Sequence, residues 1–223
     1  MPKRGDERRE RLARARLYVV TGARQEQGDL TSFLDSILDA GVDIVQLREK
    51  DAEAGDLLRW SAEFRAAADR HGALFVINDR PDLAVAAGAD GVHVGQNDLP
   101  VSWARRVVGP EVLVGLSTHA PSEYDAAPEV ADYLCAGPVY ATPTKPGRPA
   151  TGLDVVVHAA ARERIGQEVR PWFAIGGVDP DTLSAVIEAG ATRVVVVRAI
   201  CDAPDPAAAA RLLISGLQGS PVS

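Results

Sequence analysis

Short runs of β-branched and other apolar residues recur along the chain, separated by alanine-rich segments in which apolar positions recur every three or four residues. The short runs are typical of buried strands, and the longer segments are typical of helices with one apolar face. Strands and helices that alternate in this way build a parallel sheet with crossover helices. The pattern predicts eight strands, at 17–21, 43–48, 73–78, 91–95, 112–117, 133–136, 172–175 and 193–198.

A four-residue phrase marks the points where helices end and strands begin. It reads AGVD at 40–43, AGAD at 87–90 and AGAT at 189–192. Eight βα units in 223 residues fit a closed barrel better than an open sheet. The sequence therefore predicts an α/β fold with a single (β/α)8 TIM barrel. We expect the barrel to span residues 17–217, with a charged N-terminal extension at 1–16 and a C-terminal tail at 218–223.

Composition narrows the classes of function. Hydrophobic residues make up 46% of the chain and charged residues 25%, which suits an ordinary soluble core. Residues 1–16 carry seven basic and three acidic side chains, while the whole chain has a net charge of −7. The extension is thus expected to be a frayed, solvated helix outside the barrel. The acidic remainder argues against general binding to nucleic acid, which needs a positive face.

The sequence has few signals for targeting or for cysteine-based metal or redox sites. No apolar run is long enough for a membrane span, and the N-terminus lacks the apolar segment of a signal peptide. We therefore expect no membrane association. Cys135 and Cys201 lie too far apart in sequence for a metal or redox motif. The sequence favours a reducing, cytoplasmic location, and it allows a homo-oligomer.

Long polar side chains alternate with apolar ones at the end of the second predicted strand. Gln46, Arg48 and Lys50 share one face, spaced about 6.6 to 6.8 Å apart, and point to the barrel axis. Barrel enzymes carry their active sites at the carboxyl ends of the strands. Two cations there need an anionic partner. They therefore predict an anionic ligand, or alternatively an ion-pair network with carboxylates inside the barrel.

Two acids follow the third and fourth predicted strands. Asp79 and Asp98 should project over neighbouring strand ends, where their charges repel unless a cation lies between them. With oxygen donors and no cluster of His or Cys, the cation predicted is Mg2+, completed by waters and by substrate phosphate. The alternative is that these acids cap helices beginning near Pro81 and Pro100.

A second anion site is predicted from the last two strands. Gly176 and Gly177 follow the seventh strand, and Val197-Arg198-Ala199 follows the eighth, where barrels often bind phosphate through backbone N–H groups. The glycine pair alone could also make a tight turn. The loop at 137–151 contains four prolines, and its Thr142, Thr144 and Lys145 predict a lid over phosphates, or alternatively a solvated surface loop.

Two further residues belong to the predicted pocket. Ser117 ends the fifth strand and is expected to donate a hydrogen bond to the ligand, because no acid lies at the spacing of a catalytic triad. His93 lies within the fourth strand and is expected to line the pocket rather than to bind metal.

Together these motifs resemble the thiamine phosphate synthase family over about residues 17–217. The resemblance rests on an ordered set of segments at successive strand ends: QLREK at 46–50, ND at 78–79, DGVHVGQ at 90–96 with Asp98, GLS at 115–117, TPTK at 142–145, GG at 176–177 and VRAI at 197–200.

The resemblance implies a transferase that condenses 4-amino-5-hydroxymethyl-2-methylpyrimidine diphosphate with 4-methyl-5-(2-phosphoethyl)thiazole, giving thiamine phosphate and diphosphate. It implies Mg2+ on Asp79 and Asp98, and catalytic roles for Arg48, Lys50, Ser117 and Lys145. Tyr18 is expected to pack on the pyrimidine ring. The resemblance assigns the pyrimidine diphosphate to Gln46, Leu47, Arg48, Glu49, Lys50, Asn78, Ser117 and Lys145, and the thiazole phosphate to Thr142, Pro143, Thr144, Gly177, Val197 and Arg198. Arg198 departs from the Ser of many relatives, so its contact with phosphate could be through backbone or guanidinium.

Three other functions use the same kind of barrel. A thiazole tautomerase-like isomerase would need no metal and lacks the full set of cations and acids. A non-catalytic phosphate-binding barrel would bind ligands without releasing diphosphate. An enzyme that works through a Schiff base would place a lysine inside a strand, whereas Lys50 and Lys145 lie at a strand end and in a loop.

Overall fold

Eight parallel strands form a closed barrel in the computed structural model, which describes residues 4–141 and 150–219. Each strand pairs with the next along the chain, and the last pairs with the first, with Val194 opposite Leu17. The predicted (β/α)8 TIM barrel is confirmed. The strands are β1 (Leu17–Thr21), β2 (Ile44–Leu47), β3 (Leu74–Asn78), β4 (Gly91–Val94), β5 (Leu113–Thr118), β6 (Tyr133–Ala136), β7 (Trp172–Ile175) and β8 (Val194–Val196).

Helices cover the outside of the barrel. Within α2, for example, Phe33, Leu34, Ile37 and Leu38 recur on one face and are buried against the sheet. None of the helices in the described ranges is long and apolar enough to cross a membrane. The helices are α1 (Arg4–Arg14), α2 (Leu30–Asp39), α3 (Ala54–His71), α4 (Pro81–Ala86), α5 (Val101–Val108), α6 (Pro121–Asp125), α7 (Asp154–Arg164), α8 (Leu183–Glu188), α9 (Arg198–Cys201) and α10 (Pro206–Gln218).

The predicted strands agree with the observed ones to within two residues at each end. The largest difference is at the eighth, which was predicted to reach residue 198 but ends at Val196. The reason is that Val197 is already the N-cap of the short helix α9. The polypeptide therefore turns away from the barrel at the position where the sequence predicts an anion site.

Aromatic rings fill the barrel interior. Tyr18, Tyr133 and Phe173 are fully buried and meet edge to face, with ring centroids 5.7 to 6.1 Å apart. Gly115 on β5 leaves the room for one of them, because a Cβ atom there would lie 2.1 Å from Cζ of Tyr133. Below these rings the interior is closed by aliphatic side chains such as Ile44 and Leu113.

Aspartates precede three alternate strands, and two of them, Asp43 and Asp90, are the last residues of the repeated AGxD phrase. Asp43 Oδ2 accepts hydrogen bonds from the N–H groups of Arg16 and Leu17, at 2.8 and 3.0 Å. Asp90 accepts from Phe75 N–H at 2.9 Å, and Asp132 accepts from Val114 N–H at 2.8 Å. Each carboxylate thus ties the start of its own strand to the start of the preceding one.

The N-terminal extension is a docked helix, so the expectation that it is frayed and solvated is wrong. Leu12 and Ala15 are each 1% exposed and belong to the apolar cluster inside the barrel. Arg8 Nε lies 2.9 Å from Asp90 Oδ1, and Arg9 Nε lies 2.9 Å from Asp132 Oδ1. Helix α1 therefore closes the amino end of the barrel, using the same aspartates that join the strands. The division of the chain into extension, barrel and tail stays a prediction.

Candidate functional site

The second strand carries its polar side chains toward the barrel interior and mouth. Val45 and Leu47 belong to the cluster between sheet and helices, as the alternation predicts, and Gln46 is buried on the opposite face. Gln46 Nε2 donates to Tyr18 Oη at 2.5 Å. Past the end of the strand, Lys50 is exposed at the rim. The polar side chains of this segment therefore extend from the buried barrel interior, at Gln46, to the solvent-exposed rim, at Lys50.

Asp79 lies at the rim next to Lys50, in a conformation that few residues with a side chain adopt. Its φ of +60° is in the left-handed region, which costs on the order of 1 kcal/mol. Its N–H donates to His93 O at 2.8 Å, which fixes the residue to β4. The Asp79 carboxylate is 3.3 Å from Lys50 Nζ. The backbone is held in a strained state that presents this carboxylate to its neighbours.

Asp98 lies against Asp79. Burial raises the pKa of Asp79 above its ordinary value, and the hydrogen bond and negative charge of Asp98 raise it further, while Lys50 acts in the opposite direction. Asp98 Oδ2 also accepts from Gly95 N–H at 2.9 Å. The structure thus brings together the two acids that the sequence predicts to converge, with Lys50 beside Asp79.

Helix capping does not account for these two acids. The N-cap residue of α4 is Arg80 and that of α5 is Pro100, so neither acid occupies the capping position. Residues 4–141 and 150–219 contain no group of three or more His, Cys, Asp or Glu side chains that could hold a metal ion. A cation at this point would therefore rest on a pair of acids, and its other ligands would have to be water or substrate.

A buried chain of hydrogen bonds runs beneath the rim from β2 to β5. Tyr18 Oη and Tyr133 Oη are 3.2 Å apart, and Tyr133 Oη is 3.2 Å from His93 Nδ1. His93 Nε2 is in turn 2.9 Å from Ser117 Oγ. Burial raises the pKa of both tyrosines well above the ordinary value, so the two phenols are neutral and can both donate and accept. The chain links Gln46 with Ser117 across the barrel.

Three of the predicted site residues belong to this network. Ser117 and His93 lie together on neighbouring strands, as the prediction of a common pocket requires. Tyr18 lies in the floor below Gln46, with Tyr133 and Phe173 against its ring. Its contact with a pyrimidine stays a prediction. The sequence reasoning missed Tyr133, although the facing Gly115 was a signal that a large side chain occupies the interior.

A cavity of about 350 Å3 opens beside this network, between the loops that follow β5 to β8. Its walls include Ser117, Gly177, Val197 and Arg198, which come from three separate predicted motifs. Glu123 accepts from the backbone N–H of the next wall residue, His119, at 2.7 Å. The two halves of the predicted site therefore share Ser117 as a common boundary.

The glycine pair after β7 serves both as a turn and as a point of close approach. Gly176 and Gly177 have φ values of +104° and +66°. A Cβ atom on Gly176 would lie 2.5 Å from Pro138 Cα, and one on Gly177 would lie 2.7 Å from Tyr140 Cβ. Side chains at these positions would therefore push away the loop that follows β6, so the tight turn and the shape of the cavity depend on the same residues.

The predicted lid lies beyond what the structure describes. Thr142, Pro143, Thr144 and Lys145 fall between the described ranges, which end at 141 and resume at 150. The chain on either side of them is joined at the rim: Thr151 N–H donates to Pro138 O at 2.8 Å, and Gly152 N–H donates to Val139 O at 3.1 Å. Both ends of the predicted lid are thus anchored beside the cavity.

Three further predicted residues lie at or just past the carboxyl ends of β2 and β3. Glu49 turns toward β1, where its Oε1 accepts from Ala23 N–H at 2.7 Å. Arg48 is held through its backbone, whose N–H donates to Thr21 O at 2.9 Å. Asn78 is half-buried at the end of β3, directly before Asp79.

Comparison with known proteins finds relatives that match most of the chain. Residues 17–200 match the family model described as thiamine monophosphate synthase. The thiamine-phosphate synthase of Acidothermus cellulolyticus is 58% identical over 202 residues, covering 89% of this chain and 93% of that protein. That of Streptomyces avermitilis is 56% identical over 207 residues, covering 92% and 94%. Among solved structures, the thiamine phosphate pyrophosphorylase from Pyrococcus furiosus superposes with a TM-score of 0.79 at 27% identity, covering 94% of this chain and 97% of that one.

Proposed function

The chain belongs to the thiamine monophosphate synthase family, and we propose that its barrel mouth joins a pyrimidine diphosphate to a thiazole phosphate with the help of Mg2+. The enzyme is a transferase of thiamine biosynthesis that condenses 4-amino-5-hydroxymethyl-2-methylpyrimidine diphosphate with 4-methyl-5-(2-phosphoethyl)thiazole. Its products are thiamine phosphate and diphosphate. The relatives named thiamine-phosphate synthase, which match over most of the chain, support this reaction.

The pair Asp79 and Asp98 fits a small, hard cation. Both offer carboxylate oxygens, which Mg2+ prefers, and a pair of acids leaves the other coordination positions to water and substrate phosphate. The raised pKa of Asp79 supports this assignment. Burial and Asp98 disfavour the ionised form of this carboxyl, and a cation between the two acids would stabilise that form. When bound, Mg2+ neutralises charge on the leaving diphosphate.

The observation that carries the proposal is the meeting of Lys50, Asp79 and Asp98 at one point of the rim. A substrate that carries a diphosphate group and a divalent cation needs acids to bind the cation and a positive group to bind the diphosphate. Arg48, Lys50 and Lys145 are proposed to bind the diphosphate oxygens and to stabilise the charge that develops as the bond between diphosphate and the pyrimidine methylene breaks. No nucleophile of the enzyme takes part.

The pyrimidine is proposed to lie above the buried floor. Gln46 and Ser117 offer polar groups there, and the hydrogen-bonded network of Tyr18, Tyr133 and His93 holds both in place. The electron-rich aminopyrimidine stabilises the cation left on its methylene carbon. Attack by the thiazole nitrogen on that carbon then completes the new bond.

The thiazole phosphate is proposed to occupy the cavity between β5 and β8. Gly177, Val197 and Arg198 line it. The backbone N–H groups of Val197 and Arg198 are proposed to bind the phosphate, because N–H groups in the first turn of a helix have no partner within the helix. Thr142, Pro143, Thr144 and Lys145 are proposed to close over the phosphates. Such a lid would keep water from the cation during the reaction.

An assay of both products tests the proposal. The purified enzyme is mixed with both substrates, in Mg2+ or in EDTA, and thiamine phosphate and diphosphate are quantified together. We expect equal amounts of the two products, loss of both in EDTA, and recovery on addition of excess Mg2+. Saturable substrate binding without diphosphate release would instead favour a non-catalytic barrel, and metal-independent conversion of a thiazole carboxylate phosphate would favour a tautomerase.

We also propose a cellular location and an oligomeric state for the enzyme. Cys135 and Cys201 are both free thiols, which supports a reducing, cytoplasmic location. A homo-oligomer is also proposed, and light scattering after size-exclusion chromatography measures it directly.

A further inference from the structure

Arg24 occupies an unusual position in the loop that follows β1. Its φ is +50°, so a residue with a long side chain adopts the left-handed conformation. Its carbonyl accepts from Gly28 N–H at 2.8 Å, which closes a turn over the loop. Strain of this kind persists only where the surroundings hold the residue in place. The contacts of the guanidinium group show what holds it.

The guanidinium group of Arg24 makes three kinds of contact and is largely buried, with its side chain 11% exposed. Nε and Nη2 donate to the two carboxylate oxygens of Asp29, at 2.6 and 2.9 Å. The group lies 4.0 Å from the centre of the Phe33 ring. Nη1, the remaining arm, donates to Cys201 O at 2.9 Å. Arg24 therefore joins the β1 loop and α2 to α9, which is distant in sequence.

The contact with Cys201 bears on the cavity because Cys201 is the last residue of α9 and Arg198 is the first. A helix of one turn has too few internal hydrogen bonds to fix its own orientation. Cys201 Sγ makes a second contact with β1, 3.5 Å from Val20 O. A cation at the carbonyl end of a helix is also electrostatically favourable. The orientation of α9 is thus set from β1 and its loop.

We infer that Arg24 is a positioning residue for the phosphate end of the cavity, acting through Cys201 to hold Val197 and Arg198 in place. The inference rests on the proposed function, in which these two residues bind the thiazole phosphate. Arg24 is not among the residues lining the cavity, so its effect on binding runs through α9. It should therefore affect one substrate and leave the other unchanged.

Steady-state kinetics of Arg24→Ala with each substrate varied in turn tests this inference. We expect the KM for the thiazole phosphate to rise roughly tenfold, which corresponds to the loss of about one well-made hydrogen bond. The KM for the pyrimidine diphosphate and kcat at saturation should stay within about twofold of the wild type. Arg70→Ala is the matched control, because Arg70 also pairs with an aspartate of α2, Asp35, but that pair does not involve α9. It should leave both KM values unchanged.

Calorimetric titration with the thiazole phosphate alone separates this inference from the proposed function. A wild type that binds it but forms no thiamine phosphate would refute the function, while weaker binding by Arg24→Ala would still uphold the positioning role. Equal effects on both KM values, or no loss of thiazole phosphate binding in Arg24→Ala, would overturn the inference. If Arg24→Ala does not fold, Asp29→Asn, which weakens the hold on the same guanidinium, is judged by the same criteria.

Discussion

Lys50 Nζ lies 3.3 Å from Asp79 Oδ2, although that carboxylate also meets the second acid, Asp98. The lysine side chain is 48% exposed, so its attraction is weakened by solvent and does not offset the effects of burial and of Asp98. The pKa of Asp79 therefore stays above its ordinary value despite the neighbouring lysine. This arrangement accounts for the proposed need for a divalent ion.

Replacement of Asp79 by Asn should separate activity from stability. We expect the rate of thiamine phosphate formation to fall at least about 100-fold, because the metal loses an oxygen ligand with a full charge. The melting temperature should not fall, since Asn tolerates the left-handed conformation and no longer repels Asp98. Asp82→Asn is the control, because Asp82 is exposed and paired with Arg80, and it should retain full activity. An active Asp79→Asn enzyme would contradict the metal assignment.

The pH dependence of the metal-free enzyme follows from the raised pKa of Asp79. The folded protein keeps this proton to higher pH than the unfolded chain does. The free energy of unfolding should therefore fall as the pH rises from 3.8 through the raised pKa. With Mg2+ present, activity should instead rise with pH, because only the ionised acid binds metal.

Magnesium should shift the pH at which activity rises. Ion and proton compete for the same oxygens, so a higher concentration of Mg2+ shifts the rise in kcat/KM to lower pH. Profiles of kcat/KM against pH at limiting and saturating Mg2+ measure the shift. Coincident profiles would show that the titrating group is not the metal ligand.

Tyr133→Phe tests the buried network. Removing this hydroxyl leaves His93 Nδ1 and Tyr18 Oη without a shared partner, and should lower the free energy of unfolding by about 1–3 kcal/mol. The KM for the pyrimidine diphosphate should rise severalfold, because Ser117 is linked to the network through His93. Tyr124→Phe is the matched control: its buried hydroxyl has no hydrogen-bond partner in the described structure. Urea denaturation should show no loss of stability for Tyr124→Phe, and equal losses in both variants would contradict the account.

Leu12→Ala tests whether α1 is part of the barrel. The side chain is 1% exposed inside the barrel end, so its truncation should cost about 2–5 kcal/mol in the free energy of unfolding. The rate at saturating substrate should be unchanged, because α1 lies at the end opposite the site. Leu212→Ala offers a control at an exposed leucine, 58% accessible on α10. A Leu12→Ala protein as stable as the wild type would show that the extension does not contribute to the barrel's stability.

Local patterns were enough to predict the barrel and much of its rim. The alternation in β2 and the acids after β3 and β4 are short-range signals, and parallel strands bring their carboxyl ends to one edge. The docking of α1 depends on Asp90 and Asp132, whose role as partners for Arg8 and Arg9 cannot be seen from their own segments. Nonlocal partners also decide the conformation of Arg24.

Nonlocal contacts also decide the arrangement of the site itself. The sequence placed Gln46 and Ser117 in one pocket but missed Tyr133, which connects them. A tyrosine at the start of a strand is ordinarily a core residue, and its role becomes visible only when the glycine opposite is matched to it by the strand register. Contacts across a closed barrel depend on register, which periodicity alone does not give.

The most direct test of the central claim is a crystal structure of the enzyme with Mn2+ in place of Mg2+ and with diphosphate and thiamine phosphate bound. If the claim is correct, an anomalous scattering peak lies within coordination distance of the carboxylate oxygens of Asp79 and Asp98 and of the diphosphate, with Lys50 beside the same diphosphate. A peak bound elsewhere, or a diphosphate held without metal while both acids face away, would contradict it.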